Sequence, residues 1–153
     1  LKPNNFSGEF ILKNKNSVFI PETATKIKRP VFMVPVSAGF PSPAEDYVEG
    51  SLDLNRHLIK HPAATFFVRV SGDSMINAGI YPNDILIVDR SLEPVNNKIV
   101  IAVLNGELTV KRLKLKDKQI YLYPENPNYS PIKIEENFDF EIWGVATNVI
   151  HSL

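Results

Sequence analysis

The chain has 153 residues, 44% of them hydrophobic, which is the length of one ordinary domain and enough apolar material for a real core. Lys+Arg and Asp+Glu both number 17, so no global basic field draws the protein onto nucleic acid, and the absence of cysteine excludes disulfides, thiolate metal sites and a cysteine nucleophile. The longest purely apolar run, Ile99 to Leu104, is too short for a membrane span, and Leu1-Lys2-Pro3-Asn4-Asn5 opens too polar for a signal peptide, so a cytoplasmic protein without a membrane partner is expected.

Residues 1–30 combine polar and basic stretches (Asn4-Asn5, Lys13-Asn14-Lys15-Asn16, Lys26-Ile27-Lys28-Arg29) with two short apolar pieces, Phe10-Ile11-Leu12 and Val18-Phe19-Ile20. The apolar pieces can form brief strands but cannot make a core alone, so this region reads as an arm. The basic cluster at Lys26–Arg29 is too small to outweigh the neutral overall balance as a DNA contact. Pro30, Pro35, Pro41 and Pro43 follow closely, and proline fixes φ and removes a donor, so the backbone here is expected to be extended and excluded from a central strand. Between these prolines lies Val36-Ser37-Ala38-Gly39, where two small residues would let a nucleophile approach the bond between Ala38 and Gly39. On the residues alone, a proline-rich linker between arm and domain is the simpler account.

Ser51 to Lys60 carries capping residues at its start, Leu54 and Leu58 on one face and Pro62 just past its end, which predicts one short helix. Beyond it the hydrophobic period changes to two. Strands are predicted at Thr65–Ser71, Asp84–Asp89, Lys98–Leu104, Glu107–Leu115, Gln119–Tyr123, Ile132–Ile134 and Phe138–Ile150. Asn105-Gly106 between two β-branched runs is the strongest hairpin signal in the chain. The fold class is therefore mostly β: a compact antiparallel β domain with one short helix and an extended N-terminal arm.

The chemistry centres on Ser71-Gly72-Asp73-Ser74-Met75, where the first of these strands breaks into a turn that leaves a hydroxyl at its end. A serine in such a turn is most often a turn former or cap, and it becomes a nucleophile only if a neighbouring group takes its proton. His57, His61 and His151 fit no triad pattern. Lys111 is the alternative base. In Lys111–Lys118 the bland account is a solvated strand face that discourages edge pairing. Yet Lys111 shares its parity with Leu113 and Leu115, while Arg112, Lys114 and Lys116 point the other way. A lysine on the buried side is desolvated, and a neutral amine can accept a serine proton. Asp84 and Asp89 are expected to be strand-end turn residues, not metal ligands, with no histidine nearby, and Trp143-Gly144-Val145 to be core.

Ser-Gly-Asp-Ser-Met at 71–75, Leu-Thr-Val-Lys-Arg-Leu at 108–113 and the upstream Val36-Ser37-Ala38-Gly39 together resemble the LexA/UmuD family of self-cleaving Ser-Lys peptidases. The stretches Phe40–Glu49, Leu52–Asn55 and His61–Val68 resemble the UmuD branch most, and the likeness runs from about Val36 to the C-terminus. The resemblance implies catalysis by Ser74 and Lys111, an oxyanion held by the backbone N–H groups of Asp73 and Ser74, and cleavage between Ala38 and Gly39. Residues 1–38 would then be an arm removed from a peptidase-like domain at 39–153. It further implies a homodimer without cofactor or metal, cleavage promoted by a RecA filament on single-stranded DNA, and a role beside a UmuC-like translesion polymerase in the SOS response to DNA damage. Direct sequence-specific DNA binding is not expected. A repressor of the same family would need a helix-turn-helix before the cleavage site, which residues 1–30 do not supply, and a leader peptidase would need an anchor. A non-catalytic interaction module of the same fold stays open.

Overall fold

The period-two pattern folds as strands. The computed structural model describes residues 18–19, 28–32 and 48–153, and among these are β1 (Val18–Phe19), β2 (Lys28–Phe32), β3 (Val48–Asp53), β4 (Thr65–Arg69), β5 (Ile85–Asp89), β6 (Ile99–Leu104), β7 (Glu107–Lys116), β8 (Gln119–Tyr123), β9 (Ile132–Lys133) and β10 (Phe140–Ile150). One sheet runs β1-β4-β5-β10-β6-β7-β8-β9, β2 pairs with β3 alone, and every pairing is antiparallel. The expected antiparallel β class holds, and the predicted strands from residue 65 onward are met to within about two residues. One apolar piece of the N-terminal region, Val18–Phe19, pairs with Val68 and Phe67 of β4.

The helix differs from expectation. It spans only Leu54–Leu58, because Ser51 to Asp53 complete β3, and Asp53 serves as its cap by accepting from the Arg56 N–H at 3.2 Å. Leu54 and Leu58 do not bury a face: Leu54 is 59% exposed, and the residue that enters the core is Ile59, just past the last turn.

Asn105 and Gly106 take φ of 51° and 83° between β6 and β7, the doubly positive geometry that suits the twist of a two-residue hairpin. β6 reads as a continuous apolar run because both its faces are covered. Ile101 and Val103 enter a cluster with Phe66, Val68, Leu86, Val88 and Trp143, whereas Val100 and Ala102 enter a second with Leu113, Leu122, Ile134 and Val145. Trp143 and Val145 have the same parity yet lie in different clusters. The register of β10 against β6 slips between Ile142 and Gly144, so Trp143 is the extra residue of a bulge that exchanges the faces beyond it.

That crossing brings Gly144 against β5. A Cβ there would stand 2.8 Å from Val88 Cγ1 and 2.9 Å from the Asp89 carbonyl oxygen, and the second contact is backbone that no rotamer can relieve. Gly144→Ala is expected to cost about 1–3 kcal/mol in urea unfolding, the usual range for overpacking. An unchanged midpoint would mean that β10 and β5 part at no cost.

Asp84 and Asp89, expected to lack a histidine, each have one. Asp84 accepts from the Tyr81 N–H at 2.8 Å and lies 2.7 Å from His151 Nδ1, which ties the chain beyond β10 to the start of β5. Asp89 lies 2.6 Å from His61 Nδ1 and accepts from Ser91 N–H and Oγ–H at 2.8 and 2.6 Å. Burial alone would raise both carboxyls, but the hydrogen bonds from Tyr81 and His151, and from Ser91 and His61, outweigh it and hold both below the usual carboxylate value. The sequence hid these pairs because each histidine is far from its aspartate in the chain.

Candidate active site

β4 and β7 have three strands between them, which in a flat sheet with ~4.8 Å spacing would put them roughly 19 Å apart. The sheet is curled instead: side chains of β4, β5, β10 and β6 converge on one apolar cluster. The segment after β4 is anchored in that same cluster by Val70, Met75 and Ile80, and it delivers Ser74 to the β6–β7 hairpin. Gly72, at φ 84°, supplies the left-handed residue that lets the chain turn between Val70 and Ser74. The result is a groove of about 380 Å³ between the end of β4 and the hairpin, with Val68, Ser71, Ser74, Leu108, Thr109 and Lys111 in its walls.

Lys111 Nζ lies 2.8 Å from Ser74 Oγ, 3.1 Å from Thr109 Oγ1 and 3.0 Å from the Val110 carbonyl oxygen. Its side chain is buried, at 9% exposure, and burial pushes the ammonium below the usual lysine value. The three neighbours matter to the amine's orientation. When Nζ is neutral it keeps two N–H bonds, and Thr109 Oγ1 and the Val110 carbonyl can take both, which turns the lone pair toward Ser74. The parity argument holds at Leu113, which is buried beside Lys111, but not at Leu115, which is 45% exposed where β7 has run past the core.

Residues that the sequence reading passed over hold the serine turn from behind. Asn126, in the loop between Pro124 and Pro127, is 4% exposed. Its Nδ2 donates to the Asp73 carbonyl at 3.0 Å and reaches Asp73 Oδ2 at 3.4 Å, while its Oδ1 accepts from the Asn128 N–H at 3.0 Å. The neighbouring Glu125 N–H donates to the Ser74 carbonyl at 2.8 Å, its carbonyl accepts from the Asn77 N–H at 2.8 Å, and its carboxylate accepts from Arg112 Nε. The Tyr129 hydroxyl donates to Asp73 Oδ1, and this bond to a carboxylate raises the phenol above its usual value. Arg112, on the opposite face of β7 from Lys111, therefore links the lysine strand to the serine turn through Glu125. The sequence Pro124-Glu125-Asn126-Pro127 signals only a turn, and loops with such composition are ordinarily solvated, so the burial of Asn126 was not legible in it.

Of the residues named from the sequence, Ser74 and Lys111 meet across the groove, with Asp73 in the same turn. Among the described residues, the backbone N–H groups of Asp73 and Ser74 donate to no protein acceptor. Ala38 and Gly39, in the connection between β2 and β3, lie outside the described residues.

A serine hydroxyl against a desolvated amine at a groove is the equipment of a hydrolase that uses lysine as its base. A model of the family described as Peptidase S24-like matches residues 30–147, and the chain belongs to that family. It is 50% identical over 122 residues to Protein SamA of Salmonella typhimurium, covering 80% of this chain and 84% of that one. To Protein ImpA of Escherichia coli it is 48% identical over 125 residues, covering 80% and 83%, and to Protein MucA of Escherichia coli 41% identical over 141 residues, covering 91% and 94%. These matches bear out the LexA/UmuD resemblance read from the sequence and a UmuD-like role. Among the described residues, no helix is long and apolar enough to cross a membrane.

Proposed function

We propose that this chain is a self-cleaving serine peptidase that cuts its own Ala38–Gly39 bond. The observation that carries the reading is the 2.8 Å approach of Lys111 Nζ to Ser74 Oγ at the groove, with a lysine whose charged form burial disfavours. Ser74 Oγ attacks the Ala38 carbonyl carbon as its proton passes to Lys111 Nζ, and the oxyanion is stabilised by the N–H groups of Asp73 and Ser74. The C–N bond to Gly39 then breaks, Lys111 returns the proton to the departing Gly39 nitrogen, and water, deprotonated by the same amine, hydrolyses the ester to regenerate Ser74. The products are residues 1–38 and the domain 39–153. The tethered substrate has a high effective concentration, so the rate is set by how the 38–39 segment is placed over the groove.

In this reading a RecA filament on single-stranded DNA favours the placement that cuts, and the 39–153 product, as a cytoplasmic homodimer, serves a UmuC-like error-prone translesion polymerase in the SOS response. The family membership and the likeness to SamA, ImpA and MucA support this role. Intact-mass analysis of the full chain, incubated alone at raised pH and separately with RecA, single-stranded DNA and a nucleotide, is expected to give a fragment beginning at Gly39. No fragment under either condition would leave a non-catalytic interaction module. A fragment beginning elsewhere would make 30–43 a linker.

A further inference from the structure

We propose that Asn126 is a positioning residue that aims the Ser74 backbone N–H into the groove; the inference deepens the self-cleavage reading and rests on it. In a trans peptide the carbonyl and the N–H point in opposite directions. Whatever fixes the Asp73 carbonyl therefore fixes the Ser74 N–H.

The Asp73 carbonyl is held by Asn126 Nδ2 at 3.0 Å and, less closely, by the Ile76 N–H at 3.3 Å. The next peptide is fixed likewise, with the Ser74 carbonyl accepting from the Glu125 N–H at 2.8 Å. Neither Glu125 nor Asn126 lines the groove, whereas Ser71 and Ser74 do, so the direction away from this loop is the groove side of the turn. The amide assignment of Asn126 is forced by its neighbours. The Asn128 N–H can only donate and the Asp73 carbonyl can only accept, so Oδ1 must face the first and Nδ2 the second. Burying an asparagine is tolerated here because both ends of its amide are satisfied.

The arrangement separates two functions in one side chain. Oδ1 shapes the loop through Asn128, and Nδ2 reads the serine turn. Asn126→Asp keeps the acceptor for Asn128 and replaces the donor to Asp73 by a carboxyl oxygen that faces the Asp73 carbonyl and Oδ2, so it tests positioning with the loop's own turn retained; Asn126→Ala removes both ends without adding a charge.

Single-turnover self-cleavage of the full chain is followed against pH by intact mass for wild type, Asn126→Asp and Asn126→Ala, at two temperatures and with thermal unfolding measured alongside. Both variants are expected to lose about 10²-fold in the plateau rate, the scale of losing one oxyanion donor, with the midpoint of the Asn126→Ala profile unmoved because no charge is added and Lys111 keeps its surroundings. A variant that was merely less folded would recover its rate on cooling, and such recovery would overturn the proposal. Asn126→Asp cleaving at the wild-type rate would overturn it too, while leaving the Ser74–Lys111 reading intact. A wild-type chain that never cleaves would instead sink that reading and this inference with it.

Discussion

Lys111→Met is expected to slow the proposed self-cleavage by about 10²–10⁴-fold, the usual contribution of a positioned base, while the variant unfolds no earlier than the wild type. Methionine fills the lysine's path through the apolar wall, and the Ser74 and Thr109 hydroxyls lose their nitrogen partner at a groove that water can enter. Stability does not fall, because the wild type must either keep a charge in a buried position or release a proton to avoid it. The pH dependence follows from the same displacement. Burial lowers the folded-state value below 10.5, so the cleavage rate of the wild type is expected to rise with pH and to level off before an ordinary lysine would titrate. The linkage sign agrees: between the folded and unfolded values the unfolded chain binds more protons, so stability also rises with pH across that interval. Rate against pH for the wild type, and urea unfolding of both proteins, are the measurements. A Lys111→Met chain that still yields the 39–153 fragment at the wild-type rate would remove lysine from the mechanism.

What the sequence made legible was whatever is written in local period. The strand alternation, the Asn105-Gly106 hairpin and the odd lysine on the buried face of β7 are one-dimensional signals, and each corresponds to a short-range rule of backbone geometry. The meeting of Ser74 and Lys111 is not of that kind. Their strands are separated by β5, β10 and β6, so only the curl of the sheet and the anchoring of Val70, Met75 and Ile80 bring them together. The sequence suggested the pair through its resemblance to a family, not through spacing. Asn126, Glu125 and Tyr129 escaped for a related reason. Their partners, Asp73, Ser74 and Arg112, are remote in the chain, and nothing in Pro124–Tyr129 distinguishes a loop that holds the serine turn from one that merely turns. The helix erred through competition: Ser51 to Asp53 satisfied a capping pattern, but their backbone hydrogen bonds go to β2, through Pro30–Ser51, Arg29–Leu52 and Lys28–Asp53.

Met75→Ala is the substitution expected to damage stability and chemistry together. Met75 is 1% exposed, follows Ser74 directly and reaches into the cluster that also holds Phe66, Val68, Val70, Ile80 and Leu86. Its carbonyl accepts from the Ala78 and Ile80 N–H groups at 3.0 and 3.3 Å, so the residue fastens the serine turn to the core by side chain and backbone alike. Truncation leaves a cavity beneath the turn and costs about 2–5 kcal/mol, read as a lower urea midpoint at unchanged slope. The turn keeps its backbone hydrogen bonds, the anchors at Val70 and Ile80 and the Glu125–Asn126 side, but loses the side chain nearest Ser74, which is then expected to sample positions away from Lys111, so that cleavage slows by more than the unfolded fraction explains. Met75→Leu, which keeps nearly the same volume, costs less than about 1.5 kcal/mol and retains most of the rate. A Met75→Ala chain whose rate, corrected for its folded fraction, equals that of the wild type would show that Ser74 is held without the Met75 side chain.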